Sequence, residues 1–384
     1  LPSGPAENAG HNRRCASGET SVKHIPLLDY KYLPHRWLSL WAWAVVFLLG
    51  GGCQNPPAVP VVDTAQAGQE KLIRYLKPLP TVTSIEGWDL PAEVQAEPRA
   101  GLIIKTDHYE IYTTLQDPLI LRQVPVFLES AYRSYGQVFG QELEIERRLA
   151  IYFFHNRLQW EEFTRHWTGP AAEVYMQIRA GAYYLDKACV AYHLGRQSNF
   201  AVLAHEGWHQ FSDAVFAYRL PAWADEGLAT SFESYRWEDG KVRFDPRRNG
   251  MRLMDLQKSL ASGKWMGLGE LLAMDAGRVL SFANQDSGGD AGRMGSITGY
   301  YAQLYALVRF LREDEYGRRL LAFRNMLNEG RLGKWPLPEE LRAEAVGRKQ
   351  NPSRRWNALT GTLIFQSYIA AEPSALEKQY QLFC

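Results

Sequence analysis

The stretch His205-Glu206-Gly207-Trp208-His209 constrains this chain more than any other. Histidines at i and i+4 sit one above the other on a helix, so both imidazoles can reach one cation. The glutamate between them is placed to act as general base on a metal-held water. The motif therefore calls for a helix with one polar, metal-facing side and one buried side. Phe200, Leu203, Ala204, Trp208 and Phe211 supply that buried side at three- and four-residue spacing, and Ser198 is the expected N-cap. Gly207 costs such a helix about 1 kcal/mol relative to alanine, which leaves open a close helix contact or a tolerated local cost.

A zinc hydrolase site needs a third protein ligand and keeps a fourth position for water. The spacing HExxHxxGxxH fails, because Ser212 and Val215 stand where its glycine and third histidine belong. Asp213 continues the helical face but lies eight residues, about 12 Å, beyond His205, so it suits an outer position only. His193, in an expected strand before the helix, is one remaining candidate. Glu226 is another, seventeen residues after His209, in Leu220-Pro221-Ala222-Trp223-Ala224-Asp225-Glu226-Gly227-Leu228-Ala229. Pro221 suits the first turn of a second helix there.

HExxH followed by this W-x-x-E-G-x-A segment resembles the gluzincins, and most nearly the peptidase-MA-like proteins of bacterial envelopes. The resemblance spans 181–233 by motif and extends to about Gly317 by pattern. It implies that His205, His209 and Glu226 bind Zn2+ and that Glu206 is the catalytic base. Glu233, seven residues after Glu226 and on the same expected helix face, is either an outer group for a ligating histidine or a solvated helix carboxylate. The resemblance also implies that a tyrosine on a later helix stabilises the oxyanion, for which Tyr300 and Tyr301 are nearest in chain order. Gluzincin aminopeptidases carry a Gly-Ala-Met-Glu-Asn segment before the zinc helix. Here that stretch reads Gly181-Ala182-Tyr183-Tyr184-Leu185, without the glutamate, which favours an endopeptidase.

Three parts are expected in the chain. Residues 1–53 read as a targeting segment, in which the apolar run Leu38–Leu49 follows Lys31 and Arg36 and ends at Gly50-Gly51-Gly52-Cys53. It resembles a bacterial lipoprotein signal and implies export, with a membrane anchor through lipidated Cys53; a plain signal peptide, releasing a periplasmic or extracellular protein, and an uncleaved anchor are the alternatives. With no methionine before Met176, a start downstream of the first 32 or so residues is also expected. Residues 54–100, rich in proline and alanine, read as a tether. Residues 101–384 read as the catalytic domain. Cys189 and Cys384 are then the two cysteines left, and their spacing leaves open whether they pair.

Within that domain, 108–114 and 149–154 alternate as strands and 118–140 carries a helical stripe. A short helix surrounds Trp160 and Phe163, and two strand-like runs flank Asp186-Lys187. Short helices at 251–260 and 268–274 and a buried one at 297–311, stopped near Gly317, follow the zinc helix. Four glycines mark 284–296 as a lid or a surface connection. The expected class is α+β, zincin-like, with a mixed sheet followed by the HExxH helix and a mainly helical carboxy-terminal part.

The expected activity is zinc-dependent hydrolysis of peptide bonds at the cell envelope, with a peptide or protein as substrate. The alternative is a non-catalytic zincin-fold scaffold of the envelope. A formal charge of +1 gives no reason to expect nucleic acid. No C-x-x-C, G-x-S-x-G or phosphate-binding glycine loop offers another chemistry.

Overall fold

The computed structural model describes residues 64–178, 181–283, 296–347 and 354–384. Helix α1 (Thr64–Leu76) leads into three antiparallel strands, β1 (Ser84–Asp89), β2 (Ala100–Lys105) and β3 (Tyr109–Thr113). Helix α2 (Pro118–Gln137) carries the chain to β4 (Leu149–Phe154), parallel to β3. Helices α3 (Arg157–Thr168) and α4 (Ala172–Met176) precede β5 (Ala182–Leu185) and β6 (Ala188–Tyr192). The mixed sheet has the order β1-β2-β3-β4-β6-β5, so β5 is an edge and β6 an interior strand.

Alternation along the strands divides the core. Leu149, Ile151 and Phe153 of β4 and Cys189 and Ala191 of β6 join one apolar cluster with Phe127 and Leu128 of α2. Phe154, Ala188, Val190 and Tyr192 face the other way, against Trp160 and Phe163 of α3. With both its faces and both its edges covered, β6 is buried along its whole length.

The rest is largely helical. Helices α5 (Arg196–Val215) and α6 (Ala222–Ser231) precede a hairpin, β7 (Tyr235–Glu238) and β8 (Lys241–Phe244). Then come α7 (Gly250–Ala261), α8 (Leu268–Ala273), α9 (Ala276–Ala283), α10 (Ile297–Gly317), α11 (Leu320–Arg331), α12 (Glu339–Val346), α13 (Arg354–Tyr368) and α14 (Ser374–Phe383). The protein is thus α+β.

Several expectations are corrected. From Thr64 onward the supposed tether is folded: β1 pairs with β2 through six residue pairs, and Leu76, Leu79, Trp88 and Val94 are buried. Sparse apolar residues in a proline-rich context suffice, because each packs on a sheet encoded elsewhere. Helix α5 begins three residues earlier than expected. Its N-cap is Gly195 at φ +93, and Ser198 lies in the first turn, while Asn199 Oδ1 accepts the Leu194 N–H at 2.6 Å. Pro221 is the N-cap of α6, one residue before the first turn in which it was expected. Regular helical geometry in α10 ends before Asp314, and Glu315, Tyr316 and Gly317 are left-handed. Cys189 and Cys384 are both free. The targeting segment, Cys53 and positions 284–295 of the expected lid lie outside the described residues.

Candidate metal centre

Helix α5 is oriented by its buried side. Phe200, Leu203, Ala204, Trp208 and Phe211 are fully buried, which turns His205, Glu206 and His209 to the opposite side. Gly207 is explained by a close contact: a Cβ there would lie 2.6 Å from the Tyr135 hydroxyl of α2, which donates to the Ala204 carbonyl at 2.8 Å. Helix α6 is pressed from its far side by α10, since a Cβ at Gly227 would meet Val308 Cγ2 at 2.5 Å and the Leu304 carbonyl oxygen at 2.8 Å.

This packing brings His205, His209 and Glu226 together. Glu226 Oε2 lies 3.3 Å from His205 Nε2 and 3.5 Å from His209 Nε2, and one potential ligand atom from each residue falls within 4.8 Å of the others. The opposite nitrogens are held by carboxylates: His205 Nδ1 lies 3.0 Å from Glu233 Oε1, and His209 Nδ1 lies 3.1 Å from Asp225 Oδ2. Protons on both Nδ1 atoms leave both Nε2 lone pairs facing Glu226 Oε2, which is buried and has no hydrogen-bond donor of its own. Three electron-pair donors converging on one point, one of them an orphaned carboxylate oxygen, fit a cation.

Electrostatics agree with that charge demand. Burial alone would raise Glu226, but His209 and His205 outweigh it and hold its carboxyl well below the usual range. Burial opposes a charged His205, yet Glu226 and Glu233 raise it to about 9. Against the same penalty, Asp225 and Glu226 drive His209 well above its ordinary value. Glu206 is pushed upward, first by burial, with the two histidines opposing.

Glu206, Tyr184, Asp213, Arg219 and Tyr301 line a cavity of about 1250 Å³ that also reaches the two histidines and Glu226. Its wall includes Tyr183–Leu185 of the edge strand β5. The Tyr301 ring lies 6.2 Å from that of His205. Burial, then Glu226 and Glu206, raise its phenol well above the ordinary range, so it keeps its proton and can donate.

Tyr300 is buried away from the cavity, with its hydroxyl donating to the Met274 carbonyl at 3.2 Å, because one residue turns a helix by about 100°. His193 Nδ1 pairs with the Asn199 amide at 2.9 Å, outside the cluster. Asp213 lines the cavity and accepts the Tyr184 hydroxyl at 2.7 Å. Glu233 lies beyond the end of α6 rather than on it.

Sequence reasoning missed Asp225, whose Oδ1 accepts from Trp208 Nε1 at 2.9 Å and the Ser212 hydroxyl at 3.2 Å while Oδ2 faces His209. Its place beside Glu226 was the only local signal. It also missed Arg252 and Asn249, which hold Glu233. Compared with protein-family models, curated proteins and solved structures, the chain matches none.

Proposed function

We propose that this protein is a zinc-dependent hydrolase of peptide bonds, gluzincin-like in its site and zincin-like in its fold, and an endopeptidase. The observation that carries the reading is the convergence of His205 Nε2, His209 Nε2 and the orphaned Glu226 Oε2, with each Nδ1 backed by a carboxylate. Two histidines and one glutamate are a catalytic zinc set, which leaves room for water. Zinc, when bound, supplies a Lewis acid that polarises a carbonyl and makes water acidic.

The chain's own groups do the rest. Glu206, on the same cavity wall, takes a proton from water onto its carboxylate and returns it to the leaving nitrogen. Tyr301, which lines the same cavity, can donate its phenolic proton to the carbonyl oxygen as charge develops there. Edge strand β5 offers unpaired backbone groups to an extended peptide. The run Leu38–Leu49 and Cys53 support export and attachment at a membrane surface; no helix among the described residues is long and apolar enough to cross a membrane.

Metal analysis of the purified protein tests the reading. One zinc per chain is expected, lost in Glu226→Ala. Glu206→Gln should keep zinc and lose about 10²- to 10⁴-fold in peptide-library cleavage. A protein without stoichiometric zinc would overturn the proposal, and so would undiminished cleavage by Glu206→Gln. Fractionation of cells carrying wild type and Cys53→Ser checks the address: equal recovery of both from the cytosol would end the export reading.

A further inference from the structure

The partners of Glu233 point beyond the cluster. Glu233 is 6 % exposed at its side chain, and its two oxygens are shared among four donors. Arg252 reaches it with both arms, Nε to Oε2 at 2.8 Å and Nη2 to Oε1 at 2.6 Å. Asn249 Nδ2 adds a bond to Oε2 at 3.0 Å, and His205 Nδ1 approaches Oε1 at 3.0 Å. A two-armed guanidinium contact fixes the plane of a carboxylate, which a single-point ammonium does not. The same guanidinium lies over the Tyr301 ring, 5.2 Å from its centroid. Asn249 caps α7 through its Oδ1, bonded to the Arg252 N–H at 3.3 Å, so the first turn of α7 places both residues.

We infer that Arg252 is a positioning residue of the metal centre: through Glu233 it fixes the ring plane and tautomer of His205, and through its flat face it holds Tyr301 beside that ring. The inference rests on the zinc reading above and adds a residue that touches none of the cluster atoms. A plain salt-bridge role would ask only for positive charge at this point. The arrangement asks for two parallel N–H bonds and a stacking surface as well. Lysine can supply the charge but neither of the others.

The test compares wild type, Arg252→Lys and Arg252→Met. Zinc affinity is measured by competition with a chromophoric chelator, the ligand field by visible absorption of the cobalt-substituted proteins, and folding by urea denaturation without metal. Groups that orient a metal ligand typically carry 10- to 100-fold in affinity. Arg252→Met is expected to weaken zinc about 10-fold or more and to alter the cobalt bands. Arg252→Lys should fall between it and wild type in both readouts. Unaltered cobalt bands and zinc affinity in both variants, beside a zinc-binding wild type, would overturn the inference while leaving the zinc reading intact. Lower stability of the metal-free variants with unchanged cobalt bands would reduce Arg252 to packing and overturn it too. Failure of wild type to bind zinc would instead strike the proposed function itself. If Arg252→Met does not fold, Arg252→Lys carries the comparison.

Discussion

Gly207 sits between the two histidines, and its contact with Tyr135 makes a double substitution unusually informative. A Cβ at 207 would stand 2.6 Å from the Tyr135 hydroxyl oxygen, whereas the next nearest ring atoms lie at 3.5 and 3.6 Å, ordinary contact distances. The whole conflict therefore resides in one oxygen atom. Replacing glycine by alanine within a helix gains about 1 kcal/mol, and overpacking of this kind costs about 1–3 kcal/mol. Gly207→Ala should thus range from neutral to about 2 kcal/mol destabilising. Tyr135→Phe alone loses its bond to the Ala204 carbonyl, a cost of about 1 kcal/mol. With that oxygen gone, the alanine methyl meets only normal contacts, and the helix gain of about 1 kcal/mol returns in full. The two substitutions should couple favourably by about 1–3 kcal/mol. Urea denaturation of the four metal-free proteins, with unchanged m-values, measures this. Zinc affinity should follow, since a displaced α5 moves His205 and His209: lower in Gly207→Ala, recovered in the double variant. Stabilisation by Gly207→Ala of equal size with tyrosine and with phenylalanine at 135 would refute the reasoning.

Three further outcomes are expected. Gly227→Ala should destabilise by about 1–3 kcal/mol in denaturation, and Val308→Ala should relieve it only in part, because the Leu304 carbonyl at 2.8 Å is backbone and cannot retreat. Asp225→Asn should weaken zinc about 10- to 100-fold in chelator competition, since a single amide oxygen cannot serve His209 Nδ1 together with Trp208 and Ser212. Burial raises Glu313, but Arg309 and Arg247 outweigh it and hold it below the usual carboxylate range. A carboxyl depressed in the folded state stabilises above its unfolded pKa of about 4 and stops doing so as pH falls through its folded value. Glu313→Gln should therefore be less stable than wild type at pH 7, and paired denaturation series should show the gap closing in acid.

Much of the local structure was readable from the chain itself. Strand β4 occupies the stretch its alternation marks, and α5 turns its apolar residues inward as their spacing requires. Both follow from periods of two and 3.6 residues, which act over a few turns of backbone and need no knowledge of the rest of the fold. The same holds for His205 and His209, whose shared face is a property of any helix. By contrast, α1, β1 and the β7–β8 hairpin left weak marks, because each is stabilised by the surface it packs on more than by its own pattern.

Only the tertiary structure decided which groups meet. Strand order, not strand sequence, made β5 the edge beside the cavity and buried β6. Tyr301 lines the cavity beside His205 while neighbouring Tyr300, about 100° round the helix, is turned to Met274. Asp225 meets His209 across 16 residues and Arg252 meets Glu233 across 19. A sequence specifies its histidines through local geometry. The carboxylates and the guanidinium that face them arrive from α6, the segment just after it and α7, and their meeting is set by packing such as that of glycines 207 and 227 against α2 and α10.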